Sequence, residues 1–253
     1  MLYCRSMVLV ALAILLLVCP GFAQRSLTVS AAASLKEALA ETEMAYNQSI
    51  SKVTFSNNFG SSGTLATQID QGAPVDVFLS AAAKTMDDLQ AKGLIIAGTR
   101  RDLLRNSLVL IAPADSRLRD FQGLMDGSTR LIALGDPSSV PAGQYGRQAL
   151  ISLHLLDKLN SKFVFAKDVR QVLTYVETGN ADAGLVYASD ARASNKVRVI
   201  ATAPDSSHDP IIYPAAVVKG SHHEEDARRF LEYLGSPVAR AIFVKHGFTI
   251  AAQ

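Results

Sequence analysis

The sequence has 253 residues, 49% of them hydrophobic and 19% charged, with a formal net charge of +2. Charge so nearly balanced gives no electrostatic bias toward nucleic acid or an anionic membrane. The length allows one large domain or two small ones, and the apolar share suffices for a sizeable core.

Residues 1–23 read as a cleaved secretory signal. Arg5 precedes an apolar run from Met7 to Val18 that is short for a bilayer span, and Gly21 and Ala23 suit a signal peptidase, so cleavage is expected after Ala23. Lipidation at Cys19 is disfavoured, because Val18 stands where a small residue is required. Both cysteines, Cys4 and Cys19, lie in this leader, so the mature chain has none, and disulfides, catalytic thiols and Cys-ligated metals drop out. The remaining 230 residues carry 24 basic against 23 acidic side chains, because Arg5 is the one charge removed.

After the leader, strand-like and helix-like runs alternate. Leu27 to Ala32 predicts a strand and Leu35 to Tyr46 a helix, with Ser34 and Glu37 spaced as a capping box. Lys52 to Phe55 is strand-like, Leu65 to Ile69 helical, Asp76 to Leu79 a short buried strand, and Thr85 to Lys92 a helix stopped by Gly93. Ser107 to Ala112 predicts a strand, Phe121 marks a helical patch, Arg130 to Leu134 a strand, and Ala142 to Leu153 a helix. Phe163 to Phe165 is strand-like, Val169 to Val176 a helix closed by Gly179, and Ala183 to Tyr187 and Val197 to Ala201 are strands. Ile211 to Lys219 is a long strand, followed by helices over Glu224 to Leu234 and Pro237 to His246. Such alternation predicts an α/β fold with mixed, mainly parallel sheets flanked by helices, and the strands at 107–112 and 211–219 are candidates for crossings between two lobes.

Four strand-to-helix junctions carry the candidate chemistry: Ser34, Gly60 to Thr64, Val140 to Gly143, and Asp168 to Val169. The first turn of a helix has N–H groups without intrahelical partners and partial positive charge, so converging helix starts can seat an anion without Lys or Arg. Each junction also has a plain structural role: Ser34 and Asp168 suit N-caps, and Gly60-Ser61-Ser62-Gly63-Thr64 suits a loop. Tyr187, at a strand end, suits either packing or hydrogen-bond donation to a ligand. His154, His208, His222, His223 and His246 lack metal-ligand spacing, so no metal site is expected. Ser62 lies outside a G-x-S-x-G pattern, and no P-loop or dinucleotide fingerprint occurs.

Read together, Ala31-Ala32-Ala33-Ser34-Leu35, Phe59 to Leu65, Gly72-Ala73-Pro74-Val75-Asp76-Val77-Phe78, Gly135-Asp136-Pro137, Val140-Pro141-Ala142-Gly143, Asp168-Val169-Arg170, Tyr175 to Gly179 and Gly184-Leu185-Val186-Tyr187 occur in a specific order. In these motifs the chain resembles the periplasmic molybdate-binding proteins of molybdate ABC transporters, from Leu27 to Ile250. The resemblance implies a two-lobe type II periplasmic binding-protein fold, with residues 24–108 and 212–253 in lobe one and 109–211 in lobe two. Carried over position by position, it implies that molybdate, and tungstate with it, is held by the hydroxyls and N–H groups of Ser34 and Ser62, the N–H groups of Ala142 and Val169, and the Tyr187 hydroxyl.

It further implies a monomer that is not an enzyme, needs no cofactor and delivers its ligand to a membrane permease. The sequence departs from the family at Ser30, at Gly63, a serine in some relatives, and at His154-Leu155-Leu156, which replaces a Gly-containing turn. A receptor for another oxyanion such as sulfate, and a secreted serine hydrolase using Ser62, are the alternative readings.

Overall fold

Small and branched apolar residues buried on both faces form the central strands, and amphipathic segments cover them. The structure is a computed structural model that describes residues 25–252. The expected signal and its cleavage after Ala23 therefore lie outside the described residues.

β1 (Ser26–Ala32) passes through a 3-10 turn at Ala33–Leu35 into α1 (Lys36–Ser49). β2 (Thr54–Gly60) leads to α2 (Ser62–Asp70), and β3 (Val77–Leu79) to α3 (Ala83–Ala91). β4 (Arg101–Arg105) and β5 (Leu108–Pro113) follow, then β6 (Ile132–Gly135), α4 (Pro141–Ser152), the single turn α5 (Leu156–Leu159) and β7 (Phe163–Ala166). α6 (Val169–Glu177), β8 (Ala183–Tyr187), the short α7 (Ala188–Arg192) and β9 (Val197–Thr202) complete this half. β10 (Ile212–Val217), α8 (Glu224–Leu234), α9 (Pro237–Lys245) and β11 (Thr249–Ile250) end the chain.

The strands form two sheets, in the orders β11-β4-β10-β3-β1-β2 and β7-β6-β8-β5-β9. β1 is parallel to β2 and β3, and β6 is parallel to β7 and β8. β10 runs antiparallel to β3 and β4, β11 to β4, and β5 to β8 and β9, so antiparallel ladders outnumber parallel ones among the described residues. The sheets are mixed, as expected, and only the expected predominance of parallel pairing is corrected. The chain changes sheet twice, and strands beside those changes run back against the strands that carry helices. The crossings also differ from expectation, since β5 and β10 each lie wholly in one sheet. The changes occur at Asn106–Ser107 and between Thr202 and Ile212, tied together by the Asn106 N–H to Ile211 carbonyl bond (3.2 Å) and the Ala203 N–H to Leu108 carbonyl bond (2.9 Å).

Strands β3, β6 and β8 are buried throughout, whereas edge strand β2 exposes Ser56, Asn57 and Asn58 and so remains polar at the sheet margin. α6 buries Val169, Val172, Leu173 and Val176, an i, i+3, i+4, i+7 stripe. Each such side chain contributes roughly 1.5–3 kcal/mol relative to exposure. β4, α5, α7 and β11 had no readable pattern in the sequence, because they are short and their burial depends on partners distant in the chain.

Candidate functional site

The four junctions stand where parallel strands of both sheets end and helices begin, the usual ligand position in open α/β sheets. At the first, the Ala33–Leu35 turn makes no side-chain cap hydrogen bond, so the capping box expected of Ser34 and Glu37 is absent. Tertiary partners take both side chains instead. Ser34 Oγ lies 3.0 Å from Tyr213 Oη in β10, and Glu37 pairs with Arg170 across the gap between the sheets.

At the second junction the two adjacent serines divide the work. Ser61 is the N-cap of α2: its Oγ accepts the Thr64 N–H at 3.2 Å and donates to Thr64 Oγ1 at 2.8 Å. Ser62, only 1% exposed, accepts the Ala81 N–H at 2.8 Å. Its hydroxyl hydrogen thereby remains available to a further acceptor. Gly63 matters for space. Its N–H donates to the Ser139 carbonyl at 3.0 Å, and a Cβ there would stand 2.5 Å from that oxygen. Gly63 thus permits the end of one sheet's α2 to touch the loop that opens α4 over the other sheet.

The third junction places Pro141 at the first position of α4 and Ala142 next, in the turn whose N–H groups lack intrahelical acceptors. Gly143 sits so close to β6 that a Cβ would collide with the Gly135 carbonyl oxygen. At the fourth, Asp168 caps α6 as expected, its carboxylate accepting the Gln171 N–H at 2.9 Å, which leaves Val169 at the helix start. Tyr187, at the end of β8, is 1% exposed, and its Oη is buried without a hydrogen-bond partner among the described residues.

Ser34, Ser62, Ala142, Val169 and Tyr187 line one small, tight cavity between the two sheets. The structure therefore brings all five together, joined by Ser61 and by the small or apolar residues around it. Among the described residues, no charged side chain lines it. The nearby cation Arg170 is taken up by Glu37 and by Asp190, whose Oδ1 is 3.1 Å from Arg170 Nε. Burial pushes the Asp190 carboxyl up to about 7, with Arg170 pulling the other way. Burial also raises the Tyr187 hydroxyl well above its ordinary range, so it is a neutral donor at any physiological pH.

Such a cavity is a cage of neutral donors. Among the described residues it holds no histidine or carboxylate that could act as a base toward Ser62, whose hydroxyl oxygen accepts from a backbone N–H. A larger open groove beside Arg100, Asp102 and Arg240 lies elsewhere, on the six-stranded sheet, and its Arg100 is already paired with Asp87 and Asp102. Sequence reasoning did not find Tyr213, Asn106 or Ala81. Nothing in the local pattern of a strand tyrosine or a loop asparagine marks it as touching a residue more than a hundred positions away.

The chain matches known proteins over almost all of its described length. A family model described as bacterial extracellular solute-binding protein matches residues 27–249. The chain is 46% identical, over 88% of its length and 86% of the relative's, to a Bacillus subtilis (strain 168) protein named as ABC transporter substrate-binding lipoprotein YvgL. It is 43% identical to the molybdate-binding protein ModA of Escherichia coli (strain K12), over 88% of this chain and 89% of that one. Among solved structures, the Azotobacter vinelandii periplasmic molybdate-binding protein superposes with a TM-score of 0.80 at 29% identity, covering 89% of this chain and all of that one. A fold of two mixed sheets, a charge-free cavity between them and this match over nearly the whole described chain agree, and the chain belongs to the bacterial extracellular solute-binding proteins.

Proposed function

We propose that the protein is an extracytoplasmic receptor that captures molybdate, and tungstate with it, and hands it to the permease of an ABC importer. The observation that carries this reading is the buried Tyr187 hydroxyl, without a hydrogen-bond partner among the described residues, at a cavity lined by helix starts and serines. An unsatisfied buried hydroxyl costs roughly 1–3 kcal/mol, which an acceptor-rich ligand would recover. The donors are Ser34 and Ser62 by hydroxyl and N–H, Ala142 and Val169 by N–H, and Tyr187 by hydroxyl. Charge-assisted hydrogen bonds in a dry cleft then hold a dianion with no counter-charge. Selection between tetrahedral dianions would be by radius.

We assign residues 24–108 and 212–253 to lobe one and 109–211 to lobe two, to within a residue or two of the crossings. Closure of one lobe on the other is the signal read by the permease, because a ligand touching both lobes stabilises only the closed form. The receptor works as a monomer, without cofactor or catalysis. It leaves the cytoplasm through the signal at residues 1–23, cut after Ala23, and mass spectrometry of the exported protein separates that cut from lipidation at Cys19. The deciding experiment is a thermal-shift panel of molybdate, tungstate, sulfate and phosphate. Stabilisation by the first two is expected; a response to sulfate alone would reassign the ligand, and no response to any would remove the oxyanion reading.

A further inference from the structure

We propose that Tyr213 is a positioning residue for the anion site: it donates its hydroxyl hydrogen to Ser34 Oγ and so turns the Ser34 hydrogen toward the cavity. The inference rests on the oxyanion reading above.

The direction proposed for this relay is the one that the fixed donor at Asn106 favours. Asn106, at the crossing between β4 and β5, accepts the Ser107 N–H on Oδ1 at 2.9 Å. Its amide is thereby oriented, and Nδ2 faces Ser189 Oγ at 2.8 Å and Tyr213 Oη at 3.4 Å. Tyr213 Oη accepts from that amide at 3.4 Å, which leaves its one hydrogen to give to Ser34 Oγ, 3.0 Å away, the direction the relay assigns. Tyr213 and Ser34 are 2% and 4% exposed, which keeps bulk water from taking either role.

With its oxygen already accepting, Ser34 has its hydrogen left to give, and the cavity is where it stands. The same logic holds at Ser62, whose oxygen accepts from the Ala81 N–H, a group that can only donate. Reversed polarity at Ser34 would turn a lone pair toward an anion. The Tyr213 ring also stands edge-on to Tyr187 and Phe248, with centroids 5.7 and 5.3 Å away, so the aromatic packing survives when only the hydroxyl is removed.

The test is calorimetric titration of molybdate into wild type, Tyr213→Phe, Ser34→Ala and the double variant, with folding checked by circular dichroism. Tyr213→Phe is expected to weaken binding about tenfold in wild type and less than about twofold in the Ser34→Ala background. Unchanged affinity in Tyr213→Phe, or an equal loss in both backgrounds, overturns the relay while leaving the oxyanion reading intact. If wild type binds none of molybdate, tungstate or sulfate, the functional reading fails and the relay with it. Asn106→Ala is the second variant, expected to weaken binding by a smaller factor that vanishes in the Tyr213→Phe background; an equal loss in both backgrounds counts against the relay.

Discussion

Hydroxyl groups decide the chemistry of the cavity, and their separate states predict different consequences. Tyr187→Phe removes an oxygen that has no hydrogen-bond partner among the described residues, so the melting temperature without added molybdate should hold or rise while molybdate affinity falls about tenfold. A fall in apo stability would mean that the hydroxyl is structurally engaged. Ser62→Ala also weakens molybdate binding, but here the Ala81 N–H loses its acceptor, and a stability loss of about 1 kcal/mol should accompany it in chemical denaturation. A third buried group lies away from the cavity. Glu43, 7% exposed, accepts from Asn57 on Oε2 while Oε1 has no partner among the described residues. Burial raises its carboxyl to about 7 from 4.5. The folded protein therefore holds a proton that the unfolded chain releases near 4.5, and stability declines as pH rises from that value through 7. Glu43→Gln should gain roughly 1–3 kcal/mol over wild type at pH 8 and much less at pH 5, as read from urea denaturation at both.

At the scale of elements, the helix ends matter most. α4 closes in a Schellman motif, with the His154 N–H on the Ile151 carbonyl and the Leu155 N–H on the Leu150 carbonyl, both at 2.9 Å. The residue in the left-handed conformation there is His154, at φ 56°, where glycine is the unstrained choice. This is the position where the sequence departs from a Gly-containing turn, and His154→Gly should stabilise the protein by about 1 kcal/mol. At the opposite kind of end, α2 meets the α4 loop through Gly63 and Ser139. Gly63→Val places carbon against the Ser139 carbonyl, so affinity for molybdate should fall although no ligand donor is lost. Small-angle scattering with saturating ligand should then show a less closed particle.

For the whole molecule, the cavity lies where two sheets face one another, and the sheets also touch through Glu37–Arg170 and Gly63–Ser139. A ligand bound at 100 times its Kd adds about 2.7 kcal/mol to stability, so melting temperature reads occupancy directly. The hydroxyls and N–H groups that line the cavity come with no carboxylate. Hydrogen phosphate carries a proton that needs an acceptor, and it should stabilise the protein far less than molybdate does in the same buffer at pH 7.

The local sequence determined the alternation of strands and helices, because apolar periodicity and glycine stops are short-range properties. It also marked the small-residue junctions at Ser34, Ser62, Ala142 and Val169, because a helix start has unpaired N–H groups wherever it occurs. Asp168 was legible as a cap for the same reason. Convergence was not legible. That Ser34 leaves its capping role for Tyr213, that Ser61 rather than Ser62 caps α2, and that Gly63 serves closeness to Ser139 all depend on contacts between distant segments. The antiparallel ladders were hidden likewise, since strand direction follows from where the chain changes sheet. Only the tertiary structure could decide these points, because hydrogen bonds and packing act through space and local patterns do not record which strands become neighbours.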